Sequence, residues 1–140
     1  QVLYARFELM IHETVERGEA LSPDLMNEMW DELTRKYYGE ALTMDEYTKY
    51  KWARIPHFYY TYYVYQYSTS YAASQAILDK FLKGEEGIVD KYLQLLSSGG
   101  SDYPINQLKT CGVDMTTPEP FEATLKLFEK QINEVEKLAL

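Results

Sequence analysis

The sequence predicts an all-α fold, a multi-helix bundle that forms a single domain over residues 1–140. Three observations support this prediction. Apolar residues recur at three- and four-residue spacing in several segments, residues that cap helices stand before these segments, and no segment alternates apolar and polar residues as a half-buried strand does. A chain of this length can also bury a core of its own.

Two helices are predicted in the first forty residues. The first ends at Gly18, and the second begins after Ser22, a natural N-cap, with Pro23 at the first helical position. Asp24 complements the helix dipole, and Gly39 ends the second helix. The apolar stripes comprise Tyr4, Phe7, Ile11 and Val15 in the first helix and Leu25, Met29, Leu33 and Tyr37 in the second.

A short third helix and a long fourth helix are predicted next. The segment "TMDE" at 43–46 has the pattern of a capping box, which predicts that a short helix begins there. Pro56 then breaks the chain and favours an extended conformation at Ile55. The following segment predicts a long helix from about residue 58 to residue 82.

Three further helices are predicted before the end of the sequence. One carries Ile88, Tyr92 and Leu95 on one face, and a short one spans 104–110 and is closed by Gly112. The last helix has a regular apolar stripe made of Phe121, Leu125, Phe128, Ile132 and Val135. We expect the stripes of the first, second, long and last helices to be buried together, with some apolar surface left exposed for another part of the protein.

Composition argues against several classes of partner. A net charge of −8 disfavours nucleic acid, because binding to phosphates requires clustered lysine and arginine. No apolar run approaches the ~20 residues of a membrane span. The single cysteine, Cys111, allows no internal disulfide, which fits a cytoplasmic protein. The sequence starts without Met inside a helical pattern, so we expect it to be a piece of a longer protein.

The most unusual segment is rich in tyrosine, with seven tyrosines among the thirteen residues 59–71 and His57 just before them. On a helix that turns about 100° per residue, these rings divide into two faces. Tyr62 and Tyr65 share a face with small residues and are candidates for contacting a substrate. The other face is predicted to be a packing stripe, and it consists of Tyr60, Tyr63, Tyr67 and Tyr71.

No complete catalytic motif accompanies these tyrosines. The segment "HETVE" at 12–16 approaches HExxH, but Glu16 stands where the second histidine belongs. A catalytic zinc site needs three protein ligands, so a solvated helix face explains His12 and Glu16 better than a metal site does. Cys111 lacks a neighbouring base in the sequence and is interpreted as a core or turn residue.

The sequence resembles the oligoendopeptidase F group of the M3-family zinc metallopeptidases. The resemblance is carried by "RIPHFYYTYYVYQYSTSYAA" at 54–73 and by "GGSDYP" and "GVDM" further on, and it runs across essentially the whole chain. It implies the C-terminal portion of a helical, zincin-like endopeptidase that cleaves short peptides in a channel. In this family an HExxH helix and a glutamate from a following helix hold the zinc, upstream of the portion resembled here.

The resemblance also implies roles for individual residues. It places oxyanion-stabilising hydroxyls on Tyr62 and Tyr65, a substrate-binding imidazole on His57, and a further substrate contact on either Tyr59 or Tyr60. A phenol is neutral at pH 7 and can donate a hydrogen bond to a developing negative charge. The resemblance implies that the intact parent enzyme binds zinc and that this chain alone binds none. Without its upstream metal-binding half, this chain would be inactive. The alternative is a non-catalytic helical module that binds peptides or proteins.

Overall fold

The structure, a computed structural model, describes residues 1–139, which form helices and connecting loops without any strand. The predicted all-α class is therefore confirmed. The α-helices are α1 (Val2–Glu16), α2 (Pro23–Tyr38), α3 (Tyr65–Leu82), α4 (Ile88–Ser97), α5 (Pro104–Thr110) and α6 (Glu119–Ala139). Two 3-10 helices, Thr48–Arg54 and Pro56–Tyr59, lie between α2 and α3 in the sequence.

The chain separates into two compact units. The first comprises Gln1–Ser68, and the second begins at Thr69. The single domain expected over residues 1–140 stays a prediction. All the candidate site residues belong to the first unit.

An aromatic core stabilises the first unit. The ring of Phe7 is fully buried and packs edge-to-face against Trp30, with 5.1 Å between ring centroids, and against Phe58, at 5.0 Å. Such pairs add about 0.5–1.5 kcal/mol each beyond the burial of apolar area. This core joins α1, α2 and the second 3-10 helix. Its buried members are Leu3, Phe7, Ile11, Trp30, Leu33, Phe58 and Val64.

The ends of α1 and α2 lie where the sequence predicted them. Gly18 has a positive φ of 81°, two residues after the end of α1, and Gly39 has a φ of 65° directly after α2. The hydroxyl of Ser22 accepts a hydrogen bond of 3.1 Å from the backbone N–H of Leu25. This bond satisfies one of the N–H groups that a helix N-terminus leaves without a partner.

The predicted stripes match the buried faces only in part. Ile11 is buried, but Val15, one turn further along α1, is 55% exposed. On α2 the buried apolar residues are Trp30 and Leu33, whereas Tyr37 near the helix end is exposed. Both helices extend beyond the core, so the last residue of each stripe has no core to cover it.

The predicted short third helix exists, but it is a 3-10 helix and begins at Thr48, later than the predicted capping box at 43–46. The carboxylate of Asp45 accepts hydrogen bonds from the N–H of Tyr47 and the hydroxyl of Thr48, and a 3-10 helix starts at Thr48. The capping box predicted at 43–46 is therefore wrong, since Asp45 within it acts as the local acceptor. The indole of Trp52 donates to the Asn27 side chain at 2.9 Å, which joins this 3-10 helix to α2.

The predicted long helix is wrong at its start, because α3 begins at Tyr65 rather than near residue 58. Ile55 is extended before Pro56, as predicted, and residues 56–59 form a 3-10 helix. Residues 60–64 are irregular. We call residues 60–64 the tyrosine loop.

A smaller core stabilises the second unit. Its buried residues are Ala73, Ile77, Cys111 and Val113. Cys111 is fully buried, and its thiol donates to the backbone carbonyl of Lys91 at 3.4 Å. The prediction of a core or turn residue is therefore confirmed, and the structure places Cys111 in the core. The rings of Phe81 on α3 and Tyr92 on α4 meet edge-to-face at 5.8 Å.

Helix α6 exposes the apolar stripe that was expected to be buried. Leu125, Phe128 and Val135 are 65%, 59% and 64% exposed, and Phe121 and Ile132 are exposed as well. The predicted burial is therefore wrong for this helix. The regular spacing indicated an apolar face correctly but carried no information about what covers it. Among the described helices, none has both the length and the apolar character that a membrane span requires.

Candidate functional site

The tyrosine loop turns sharply at Tyr62. This residue has a φ of 48°, in the left-handed region that residues other than glycine rarely adopt. The Tyr62 side chain therefore points in a different direction from the one that it would have in a continuous helix. Tyr63 and Val64 follow, and the regular helix starts only at Tyr65.

A buried carboxylate from α1 fixes this turn. Oε1 of Glu8 accepts the backbone N–H of Tyr63 at 2.6 Å, and Oε2 accepts that of Val64 at 2.9 Å. Glu8 is only 1% exposed. Because the Glu8 carboxylate accepts both N–H groups, neither of them needs a backbone carbonyl from a preceding helical turn as its acceptor. This explains why α3 starts after the tyrosine loop and not near residue 58.

The ring of Tyr62 lies against α1. It is half-buried and packs on the imidazole of His12, with 4.2 Å between ring centroids and 31° between planes. Its hydroxyl donates a hydrogen bond of 2.6 Å to Oε1 of Glu16. This bond, with smaller contributions from desolvation and from the negative charges of Glu16, Glu13 and Glu8, raises the pKa of Tyr62 to about 12. The Tyr62 phenol therefore remains a donor far above neutral pH.

His57 lies in a different aromatic group. Its ring stacks on Tyr63 at 5.6 Å and meets the edge of Tyr67 at 5.7 Å. Tyr60 contacts Tyr63 at 5.6 Å, and the Tyr67 hydroxyl donates to that of Tyr63 at 3.4 Å. This hydrogen bond raises the pKa of Tyr67. We call the group formed by His57, Tyr60, Tyr63 and Tyr67 the His57 cluster.

The remaining candidates occupy distinct positions. The hydroxyl of Tyr59 donates to the carbonyl of Ala53 at 2.9 Å, so its single proton is engaged within the chain. Tyr60 is 62% exposed. Tyr65 is the first residue of α3 and is half exposed.

The division of the tyrosines into two helical faces is therefore wrong for those that precede α3. Tyr60, Tyr62 and Tyr63 do not lie on the helix, and only Tyr65, Tyr67 and Tyr71 do. The four tyrosines of the supposed packing stripe are exposed, and two of them, Tyr63 and Tyr67, contact His57. The backbone turn at Tyr62, not a helical period, separates Tyr62 from Tyr63.

Comparison with known proteins assigns the chain to a family. The sequence profile of Peptidase family M3 matches residues 1–127. The chain belongs to the M3 peptidase family. It is similar to Oligopeptidase PepF of Bacillus subtilis (strain 168), with 46% identity over 140 residues, which are 100% of this chain and 21% of that protein. It is also similar to Group B oligopeptidase PepB of Streptococcus agalactiae, with 39% identity over 99% of this chain and 23% of that protein.

A solved structure agrees with this assignment. The crystal structure of oligoendopeptidase-F from Enterococcus faecium matches with a TM-score of 0.91 and 41% sequence identity, over 98% of this chain and 26% of that chain. The resemblance to the oligoendopeptidase F group is therefore confirmed. This chain spans about a fifth to a quarter of the length of these relatives.

The histidine and the second glutamate of "HETVE" both contact Tyr62 in this structure. Within residues 1–139, no group of three or more histidine, cysteine, aspartate or glutamate side chains is arranged to hold a metal ion. His12 and Glu16, the pair in "HETVE", both contact Tyr62, and Nδ1 of His12 donates to the carbonyl of Glu8 at 2.8 Å. The prediction that this pair is merely a solvated helix face is therefore incomplete.

Glu8 is the residue beside the tyrosine loop that sequence reasoning missed. A signal was present, since Glu8 lies four residues after Tyr4 and three before Ile11, on the apolar face of a helix. A carboxylate at such a position is almost never fully buried unless it has partners. The position of those partners, 55 and 56 residues further along the chain, could not be inferred from spacing.

Proposed function

We propose that this chain is the C-terminal, substrate-binding part of a cytoplasmic, zinc-dependent oligoendopeptidase that hydrolyses internal peptide bonds of short peptides. Membership of the M3 family supports this proposal, as do the oligopeptidase and oligoendopeptidase names of its relatives. The observation that carries it is the segment 57–67, in which an imidazole and several phenols lie at the surface of a chain from a peptidase family.

Tyr62 and Tyr65 stabilise the negative charge that develops on the scissile carbonyl oxygen. They flank the anchored part of the tyrosine loop, and both are phenols, which stay neutral donors at pH 7. The proton of Tyr62 is donated to Glu16 in this structure, so that hydroxyl turns from Glu16 to the substrate when a peptide binds. A well-placed donor acts mainly in the transition state, where the charge is greatest.

His57 and Tyr60 bind and orient the peptide. The His57 ring is half-buried against Tyr63 and Tyr67, which fixes its plane, and an imidazole N–H can donate to a peptide carbonyl. Tyr60 is preferred over Tyr59 as the further contact, because its ring contacts Tyr63, which stacks on His57.

The zinc ligands come from the upstream metal-binding half of the same protein. This chain alone is expected to bind no stoichiometric zinc and to have no peptidase activity. Metal analysis and a quenched fluorescent peptide would test this on residues 1–140, with circular dichroism to verify that the chain has folded. One zinc per chain together with chelator-sensitive hydrolysis would contradict the expectation.

The decisive experiment uses the full-length protein. We expect one zinc per chain and hydrolysis of internally quenched peptides, with both lost on chelation and restored by added zinc. A series of peptides of increasing length, with blocked termini, should separate an endopeptidase from an exopeptidase. A full-length protein that binds zinc but cleaves none of these peptides would contradict the proposed activity.

One observation favours a second function, a non-catalytic helical module that binds peptides or proteins. The apolar stripe of α6 is exposed, as an interaction surface would be. A full-length protein without zinc or hydrolysis that still binds peptides would support this module.

A further inference from the structure

We propose that Glu8 is a positioning residue, whose buried carboxylate holds the backbone of Tyr63 and Val64 and thereby sets the direction of Tyr62 and Tyr65 on either side of them. This inference rests on the proposed function of Tyr62 and Tyr65. In this role Glu8 acts through the backbone N–H groups that it holds.

The anchor is a two-point contact inside the first unit. Both carboxylate oxygens of Glu8 accept hydrogen bonds, and the two donors are consecutive backbone N–H groups, those of Tyr63 and Val64. A bidentate contact fixes the orientation of two peptide planes as well as their distance. Because Glu8 is 1% exposed and Val64 is 2% exposed, water does not compete for these bonds.

The first bond determines the direction of Tyr62. The N–H of Tyr63 belongs to the peptide plane that begins at the carbonyl carbon of Tyr62, so the bond from Glu8 fixes ψ of Tyr62. A φ of 48° is unfavourable for a tyrosine and persists only where surrounding contacts compensate for it. Without Glu8 we expect this residue to relax toward an ordinary backbone conformation and to move its ring away from His12.

The second bond determines where α3 starts. The N–H of Val64 stands one residue before Tyr65, among the groups that a helix N-terminus leaves without partners. A carboxylate at this end also complements the helix dipole. Glu8, on α1, therefore caps the N-terminus of α3. In doing so it fixes the direction in which the side chain of Tyr65, the first residue of α3, points.

The test uses the full-length protein and the variants Glu8→Gln and Glu8→Asp. Glutamine keeps the shape but can accept at only one of its two ends, and aspartate keeps the charge but is one methylene shorter. We expect kcat to fall about tenfold to a hundredfold in Glu8→Gln, since small misplacements of catalytic groups have effects of that size. KM should change much less, and Glu8→Asp should lie between Glu8→Gln and the parent.

A matched control separates positioning from loss of stability. Thr34 is also buried in the first unit, and its hydroxyl donates to the carbonyl of Trp30 at 2.7 Å, within α2 itself. Thr34→Val should lower Tm and leave kcat unchanged. Equal losses of kcat in Thr34→Val and Glu8→Gln would mean that Glu8 has only a structural role, which would overturn the inference.

Hydrogen exchange provides a readout that does not depend on activity. In the parent protein the amides of Tyr63 and Val64 should exchange slowly, although they lie in an irregular loop. In Glu8→Gln a peptide covering residues 60–66 should exchange faster, while peptides from α2 should not change. Fast exchange at these two amides in the parent would overturn the inference without any variant, including the case in which the Glu8 variants do not fold.

A double-mutant cycle distinguishes failure of this inference from failure of the proposed function. If Glu8 acts through Tyr62, Glu8→Gln should have a much smaller effect in a Tyr62→Phe background than alone. If the tyrosine variants lower kcat but the effects are additive, the inference is wrong and the tyrosine roles stand. If neither Tyr62→Phe nor Tyr65→Phe lowers kcat, the tyrosine roles and the inference are both wrong.

Discussion

Tyr62 and Tyr63 are neighbours in the sequence, but their surroundings have little in common. The Tyr62 ring packs on His12, and its hydroxyl donates to Glu16, so it belongs with the acidic surface of α1. The Tyr63 ring stacks on His57 in the His57 cluster. A single residue with positive φ produces this divergence. The comparison shows that a run of identical side chains can be divided between two roles by one backbone turn that is fixed from outside the run.

The two groups also differ in what their hydroxyls can do. The Tyr62 hydroxyl donates to a carboxylate, which raises the pKa of Tyr62 to about 12. The Tyr67 hydroxyl donates to another phenol, that of Tyr63, and both rings contact His57. In the first arrangement a carboxylate holds the phenol protonated, whereas in the second two phenols and an imidazole pack against one another.

The largest expected effect comes from removing a hydroxyl beside the anchored turn. In the full-length protein, Tyr62→Phe and Tyr65→Phe should each lower kcat about a hundredfold or more, with little change in KM, because an oxyanion donor acts mainly in the transition state. Steady-state kinetics on one quenched peptide measures both parameters.

Tyr67→Phe is the matched control in the His57 cluster. It removes a hydroxyl whose contact is to Tyr63 and keeps the ring beside His57. We expect kcat to stay close to that of the parent. A large loss of kcat in Tyr67→Phe, with kcat close to that of the parent in Tyr62→Phe and Tyr65→Phe, would contradict this expectation. It would assign the transition-state donor to the His57 cluster.

A smaller effect, spread over two parameters, is expected for His57→Ala. The variant removes a stacked imidazole that we propose contacts a substrate carbonyl, so KM should rise and kcat should fall, each about tenfold or less. His57→Gln keeps a side-chain donor without the ring and should recover part of the loss. A change in kcat alone would mean that His57 acts with the oxyanion donors and not with the binding surface.

Local chemistry determined what could be predicted of the fold. The cap at Ser22, the terminus at Gly39 and the short helix α5 depend on neighbouring residues and were predicted correctly. The start of α3 depends on Glu8, more than fifty residues earlier, and was predicted wrongly. The stripe of α6 was recognised as apolar, but its exposure depends on what lies beside it and not on its spacing.

The candidate site shows the same limit. Tyr62 and Tyr65 were singled out on the assumption that both lie on one helix face, and only Tyr65 is helical. They remain candidates for another reason, since the resemblance to the M3 family implied them independently of the helical geometry. The contacts of Tyr62 with His12 and Glu16 join residues about fifty positions apart, which composition and periodicity cannot reveal.

The smallest effect on rate, and the most specific test of the surroundings of Tyr62, is expected for changes at Glu16. Its hydrogen bond is the main reason that the pKa of Tyr62 is raised from 10 to about 12. Glu16→Gln removes the charge and keeps an acceptor, so the pKa should fall part of the way toward 10. Glu16→Ala removes both and should bring it closer to 10.

Carbon-13 NMR of labelled tyrosine ring carbons would measure this titration, with Tyr62→Phe identifying the signal. The sign follows from the raised pKa: the stabilising contact between Tyr62 and Glu16 is fully present below about pH 10 and is lost as the pH rises through about 12. At neutral pH the phenol is protonated in parent and variants alike, so kcat should change far less than in Tyr62→Phe. An unchanged Tyr62 titration in Glu16→Ala would show that the phenol does not donate to Glu16 in solution, and the contrast between the α1 side and the His57 cluster would then depend on ring packing alone.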